Sequence, residues 1–157
     1  MDNHWLKVSS LYEDLRKQRS LVDNDELGDV YTNVIELYNK SIEEENYIQS
    51  FILIQNLFED RLYTLFKYVK EEREGYYLSL ETLHQRTDLK KMVWELTVKY
   101  QIFDEKTKRT LNKSIDIRNR FIHFSFMKPN VYSKKLCDVF YILFREMDRE
   151  VQNFKKS

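Results

Sequence analysis

The sequence predicts an all-α fold, an up-and-down bundle of about five to six helices in one domain that spans residues 1–157. Three observations support this class. Apolar residues recur at helical spacing through most of the chain. Only two glycines (Gly28 and Gly75) and one proline (Pro129) are available for the turns of an all-β fold. A chain of 157 residues is also long enough to bury a substantial core.

The first two helices are predicted at residues 3–19 and at about 26–44. The inner face of the first carries Trp5, Val8, Leu11, Tyr12 and Leu15. Between the two helices, the run of Asp and Asn at residues 23–25 ends the first and offers a cap for the second. The acidic run at residues 43–46 is either a bend or a continuation of the second helix.

A long third helix is predicted at residues 47–73. Its apolar residues form a wide stripe, which predicts that it is the central helix of the bundle. Those residues are Phe51, Ile54, Leu57, Phe58, Leu62, Leu65, Phe66 and Val69. Gly75 ends this helix. An irregular connection follows at residues 75–88, in which residues 79–82 can begin a short helical turn.

Capping residues define the starts of the next two helices. Thr87 or Asp88 caps a segment that reaches about Tyr100, and Asp104 caps a helix that extends to His123. Residues 124–130, with Pro129, form a loop. The last helix is predicted at residues 133–154, with Leu136, Val139, Phe140, Leu143, Phe144, Met147 and Val151 facing inward.

Composition excludes several classes of protein. With 42% apolar and 33% charged residues, the chain is neither a membrane span nor a disordered segment, and no run approaches the roughly 18 apolar residues that cross a bilayer. The first residues lack the basic and apolar regions of a secretory signal. A single cysteine, Cys137, cannot form an intrachain disulfide. We therefore expect a cytoplasmic protein with no membrane partner.

Charge is balanced overall but unevenly distributed. Residues 1–103 carry 13 Lys/Arg and 19 Asp/Glu, a net charge of −6, whereas residues 104–135 carry nine Lys/Arg and three Asp/Glu, a net charge of +6. A local positive field of this kind attracts phosphate backbones. The simpler interpretation is a solvated helix face.

Common metal, cofactor and nucleophile motifs are missing from the sequence. His4, His84 and His123 are far apart, and no paired-cysteine or His-Glu-x-x-His spacing exists, so no metal or cofactor is expected. Cys137 lies on the apolar face of the last helix and is interpreted as a core residue. Trp94 is interpreted most simply as core filling, with base stacking as the alternative.

One motif interrupts an otherwise regular pattern. In the helix predicted from Asp104 to His123, Leu111, Ile115 and Ile122 form an apolar stripe, and Arg118 falls on the same stripe. A guanidinium on an apolar face must find partners, because an unpaired buried charge is very costly. Asn119 and His123 are four residues apart and are therefore neighbours on the helix surface.

The segment Arg118-Asn119-Arg120-Phe121-Ile122-His123 resembles the signature of the HEPN domains, which is an Arg, a polar residue, about three variable positions and a His near the end of a helix. The resemblance is strong over residues 104–124 and extends to the central helix, where the family often carries a Glu near the position of Glu59. In one toxin subgroup a Tyr follows two residues after the His, where this chain has Ser125.

The resemblance implies a metal-independent endoribonuclease, often a toxin or an antiphage effector, that acts as a homodimer through the motif helix. It implies that Arg118, Asn119 and His123 are catalytic, with two protomers contributing to one cleft. Cleavage would use the RNA 2′-OH as the nucleophile. Arg120, Lys113 and Lys128 are candidate RNA-binding residues, and Glu59 is a candidate to orient Arg118. A neutralising antitoxin or a larger effector protein is a further candidate partner.

Three alternatives compete with this interpretation. In the first, Arg118 pairs with a core carboxylate such as Glu59 for structural reasons, and His123 simply ends a helix. In the second, the chain is a non-catalytic HEPN-like module that binds a nucleotide or a partner protein. In the third, it is a helical interaction protein, such as an immunity protein, with no role on nucleic acids.

Overall fold

The computed structural model describes residues 32–75, 77, 88–124 and 132–156, and for residues 122–124 and 156 the backbone alone. Within these ranges the chain forms five helices and no β-strand, which confirms the all-α prediction. They are α1 (Thr32–Glu43), α2 (Tyr47–Glu74), α3 (Leu89–Trp94, extended by a π-helical turn over Glu95–Lys99), α4 (Glu105–Phe124) and α5 (Lys134–Lys156). The helix predicted at residues 3–19, the turn at 79–82 and residues 125–130 of the predicted loop lie outside the described residues.

A tight turn joins α1 to α2 and resolves the question about residues 43–46 in favour of a bend. Glu45 adopts a left-handed conformation (φ 57°), and the amide of Asn46 donates to the carbonyl of Ser41 at 2.8 Å, which closes the end of α1. Asn46 then caps α2, because its Oδ1 accepts from the amide of Gln49 at 3.3 Å. One residue thus ends a helix and begins the next.

The central position predicted for α2 is confirmed. Its side facing the bundle buries an almost continuous apolar surface (Phe51, Ile54, Phe58, Leu62, Leu65, Phe66 and Val69), and its most extensive packing is against α5. Phe140 of α5 meets both Phe51 and Phe58 edge-on, at ring-centroid distances of 5.3 and 5.8 Å. Gly75 ends α2 with a φ of 76°, as its position in the sequence predicts.

Between the same two helices lies a buried ion pair. Arg61 of α2 donates to Asp148 of α5 at 3.3 Å and to Asp60 at 3.1 Å, and the Asp148 side chain is 5% exposed. Burial lowers the pKa of Arg61, and the attraction of Asp148 opposes that effect. This ion pair links α2 to α5 within the core.

Helix α3 begins at the predicted cap and ends at Lys99, close to the predicted end at about Tyr100, but its last turn is not a regular α-helix. Asp88 caps it by accepting from the amide of Lys90 at 2.8 Å. The helix then widens into a π-helical turn, in which the amide of Tyr100 donates to the carbonyl of Glu95 at 2.8 Å. Within that turn the Thr97 hydroxyl donates to the carbonyl of Val93 at 2.8 Å, which is the acceptor that the Thr97 amide would use in a regular α-helix.

The last two helices are capped by side chains. Asp104 Oδ1 accepts from the amide of Thr107 at 2.7 Å, and this bond lowers the pKa of the Asp104 carboxyl. Ser133 Oγ accepts from the amide of Leu136 at 3.2 Å. Both caps agree with the predicted helix starts, whereas α4 continues one residue beyond the predicted end, to Phe124.

Trp94 corrects one prediction about the core. Its side chain is 49% exposed on α3, whereas the sequence analysis assigned it to core filling. Met92 and Val93, the two residues before it, supply the buried face of α3 at this level. Among the described residues, no helix is both long and apolar enough to cross a membrane.

Candidate functional site

The end of α4 that carries the motif is anchored in an aromatic cluster. Phe121 contacts Phe51 of α2 and Tyr132, with ring centroids 5.8 and 5.6 Å apart. The hydroxyl of Tyr132 donates to the main-chain carbonyl of Phe121 at 2.9 Å. Because Phe121 lies between Asn119 and His123, these contacts position the backbone of the whole motif relative to α2.

Arg118 lies on the inner side of α4, as its place on the apolar stripe predicts, and its guanidinium contacts three partners. Its Nη2 forms an ion pair with Glu59 of α2, its Nε donates to Gln55 of α2 at 3.3 Å, and its Nη1 donates to Asn119 at 2.7 Å. A guanidinium has five N–H donors, so two remain with no partner among the described residues. The Arg118 side chain is 25% exposed, and solvent therefore reaches part of the group.

The positive charge of Arg118 affects the pKa values of two neighbouring side chains, Glu59 and Tyr63. Burial raises the pKa of Glu59 above its ordinary value, and the positive charge of Arg118 opposes that rise. Tyr63, one turn further along α2, also has a raised pKa, caused first by burial and then by the negative charge of Glu59. Arg118 is therefore the described group that favours the ionised form of both side chains.

Gln55 is a member of this site that the sequence analysis missed. It is only 5% exposed, and its Nε2 donates to Asn56 Oδ1 at 2.5 Å, which leaves its Oε1 to accept from Arg118. A signal was present in the sequence, because Gln55 precedes Glu59 by four residues and so shares its face of α2. A buried amide at that position has to be hydrogen-bonded.

The remaining predicted site residues lie elsewhere. The backbone of α4 continues through His123, one helical turn beyond Asn119, but the His123 side chain and the whole of Lys128 lie outside the described residues. Lys113 and Arg120 are exposed on the outer side of α4, whereas Arg118 points toward α2. The structure thus brings together Arg118, Asn119 and Glu59, and it separates Lys113 from them.

The described part of the chain contains no group of three or more His, Cys, Asp or Glu residues that could hold a metal ion. Cys137 is fully buried in the core, as predicted, and its Sγ lies 3.7 Å from the carbonyl oxygen of Tyr47. Burial raises the pKa of the Cys137 thiol to about 12, so almost no thiolate exists at neutral pH.

Comparisons with known proteins were made at three levels. No protein-family model matches the chain, and neither the curated proteins nor the solved structures contain a significant match to it.

Proposed function

We propose that the protein is a metal-independent endoribonuclease of the HEPN type, with Arg118, Asn119 and His123 as its catalytic residues. The observation that supports this proposal most directly is that the Arg118 guanidinium is fixed by its contacts and still partly exposed. It is held at three points by Glu59, Gln55 and Asn119, yet a quarter of the side chain remains exposed. A rigid, partly exposed guanidinium is pre-organised to bind a phosphate.

The proposed reaction is an internal transesterification of RNA. The 2′-oxygen attacks the adjacent phosphorus, a bond forms between them, and the bond from phosphorus to the 5′-oxygen breaks. A base removes the proton from the 2′-OH and an acid gives a proton to the leaving 5′-oxygen. The products end in a 2′,3′-cyclic phosphate and a 5′-hydroxyl, and DNA is not cut because it has no 2′-OH.

Each residue has a role in that scheme. His123 exchanges protons, because an ordinary imidazole titrates near neutral pH. The two N–H groups of Arg118 that have no partner among the described residues stabilise the charge that builds on the phosphoryl oxygens. Asn119 supports Arg118, because its Oδ1 accepts a hydrogen bond from Arg118 Nη1 at 2.7 Å. Glu59 orients the guanidinium from α2.

One Arg and one His are few groups for an acid–base reaction that needs both an acid and a base. We therefore propose that two copies of the chain associate at the end of α4 that carries Asn119 and His123, and that together they contribute two Arg and two His residues to one cleft. A ribonuclease of this kind would suit a toxin or an antiphage effector. The activity of such proteins has to be inhibited until it is needed, so an antitoxin or a larger effector is the proposed partner protein.

The test is an RNA-cutting assay with purified protein in EDTA, with the products analysed for 2′,3′-cyclic phosphate. We expect His123→Ala and Asn119→Ala each to reduce cutting at least about 10²-fold, and His123→Ala to leave the thermal unfolding temperature close to that of the wild type. Arg73→Ala, an exposed substitution on α2, is the matched control and should cut normally. Full activity in both site variants would reject the proposal.

A second candidate function is favoured by the same guanidinium. Because three of its donors are already used inside the protein, Arg118 is equally suited to a structural role in a non-catalytic module that binds a nucleotide or a partner protein. Pure protein that binds RNA or a nucleotide but cuts neither would support that candidate. A helical interaction protein without a nucleic-acid role would show no salt-dependent RNA binding at all.

A further inference from the structure

The outer side of α4 is a charged surface. Every exposed residue between positions 105 and 120 of this helix is ionisable, and four of the six are cations. We call these four the basic ridge: Lys106, Arg109, Lys113 and Arg120. With a rise of about 1.5 Å per residue the ridge is about 21 Å long, enough for about six stacked nucleotides of one strand at about 3.4 Å each.

The two acids on this side of α4 are both engaged. Glu105 lies 3.6 Å from Lys108, and Asp116 forms an ion pair with Lys90 of α3. Among the described residues, Lys106, Arg109 and Lys113 form no ion pair with a carboxylate. The ridge therefore keeps a net positive charge toward solvent.

The Asp116–Lys90 ion pair brings α3 alongside the ridge. Trp94 follows Lys90 by four residues and Lys91 by three, so all three share one side of α3, and all three are exposed. Val98, one turn later, is 46% exposed. An indole that is half exposed between lysines, next to a line of cations, combines the stacking surface and the charge that proteins use for single-stranded nucleic acids.

We propose that the basic ridge and Trp94 form a binding track for single-stranded RNA, in which the ridge contacts phosphates and Trp94 stacks on a base. This inference rests on the proposed function, because that function makes RNA the substrate. The ridge ends at Arg120, next to Asn119, and therefore leads a bound strand toward the motif. A duplex is a poor ligand because its bases are already stacked on each other. An anionic membrane is a poor one because a Trp and a Val bury too little apolar surface.

Fluorescence anisotropy with a 12-nucleotide 2′-O-methyl RNA tests the track without cleavage, because the methyl group blocks the 2′ nucleophile. We expect Trp94→Ala to weaken binding between about 5-fold and about 100-fold, and Trp94→Phe to restore part of the affinity. Leu37→Ala, a truncation of an equally exposed residue on α1, is the matched control and should bind normally.

The salt dependence separates the two parts of the track. We expect Lys113→Ala to reduce the steepness of log affinity against log salt by about 0.7, the contribution of one single-strand phosphate contact. Trp94→Ala should leave that slope unchanged. Lys40→Ala, which removes an exposed cation on α1, should alter neither affinity nor slope.

Several outcomes would overturn the track. Unchanged RNA affinity in both Trp94→Ala and Lys113→Ala would do so while leaving the ribonuclease proposal intact, provided that the wild type cuts RNA. Equal affinity for a duplex, or Trp94-dependent binding to phosphatidylserine vesicles in place of RNA, would also reject it. RNA binding that depends on Trp94 in a protein that cuts nothing would support the track and reject the ribonuclease.

Discussion

Glu59 on α2 and Arg118 on α4 form an ion pair across the bundle, and both side chains are largely withdrawn from solvent. The pair joins the central helix to the helix that carries the motif. Arg118 also donates hydrogen bonds to Gln55 and Asn119, so the ion pair is one part of a small polar network. Networks of this kind are rigid when every member is satisfied, and they are sensitive to the loss of any one.

A double-mutant cycle measures the strength of this ion pair. We expect Glu59→Gln and Arg118→Met each to lower the free energy of unfolding, and the double variant to lower it by less than the sum. The coupling energy should be about 1–3 kcal/mol, from urea unfolding. Glu72→Gln and Arg73→Met, both exposed on α2, should show a coupling near zero. A coupling below about 0.5 kcal/mol for the first pair would contradict a rigid network.

The raised pKa of Glu59 predicts how stability changes with pH. A carboxyl whose pKa is higher in the folded than in the unfolded protein contributes stability below the unfolded pKa, and this contribution is lost as pH rises through the folded pKa. Removal of Arg118 should raise the folded pKa further. We therefore expect the destabilisation by Arg118→Met to be smaller at about pH 4 than at pH 7, as measured by urea unfolding.

Glu59→Gln in the Arg118→Met background is the control for that pH dependence, since the amide does not titrate. The added difference between pH 4 and pH 7 should disappear in the double variant. If it persisted, another group would be responsible for it, and the assignment to Glu59 would be wrong.

The ion pair between Arg61 and Asp148 is more deeply buried and should matter more to stability. Asp148→Ala removes one partner of a buried charge, and we expect a loss of about 3–5 kcal/mol in the free energy of unfolding. Asp116→Ala, which breaks the half-exposed pair with Lys90, should cost at most about 1 kcal/mol. Similar losses in the two variants would show that burial does not control the strength of these pairs.

Two residues with positive φ offer stabilising substitutions. Glu45 and Gln101 each have a φ of 57°, a conformation that glycine adopts more easily than residues with a Cβ. We expect Glu45→Gly and Gln101→Gly to raise the free energy of unfolding by about 0.5–1 kcal/mol. Lys40→Gly, inside the exposed side of α1, should instead lower it by about 1 kcal/mol. A loss of stability in the first two variants would contradict this account.

Much of the fold was predictable because local chemistry determines it. Asp88 and Asp104 begin helices since their side chains accept from main-chain amides, and Gly75 ends one since it tolerates a positive φ. Apolar spacing identified α2 as the central helix. The position of Arg118 on an apolar stripe predicted a charged partner, and Glu59 was already a candidate for that role.

The features that escaped prediction depend on particular contacts within a helix or between helices. The π-helical turn involves a bond from Thr97 to Val93 that competes with regular helix geometry, and spacing alone does not reveal it. Trp94 looked like a core residue because sequence periodicity does not show which side of a short helix meets the bundle. Gln55 was overlooked because amides are common on helix surfaces, and only the approach of Arg118 gives this one a role.

The extensive packing of α2 against α5 has a consequence for the synthesis of the chain. All of α3 and α4 is translated between the two helices, so a nascent chain without α5 presents the aromatic side of α2 to water. Such an intermediate is a natural client for chaperones that hold apolar segments. A ribosome that stalled before Lys134 would release a species prone to aggregate, and cellular quality control would have to remove it.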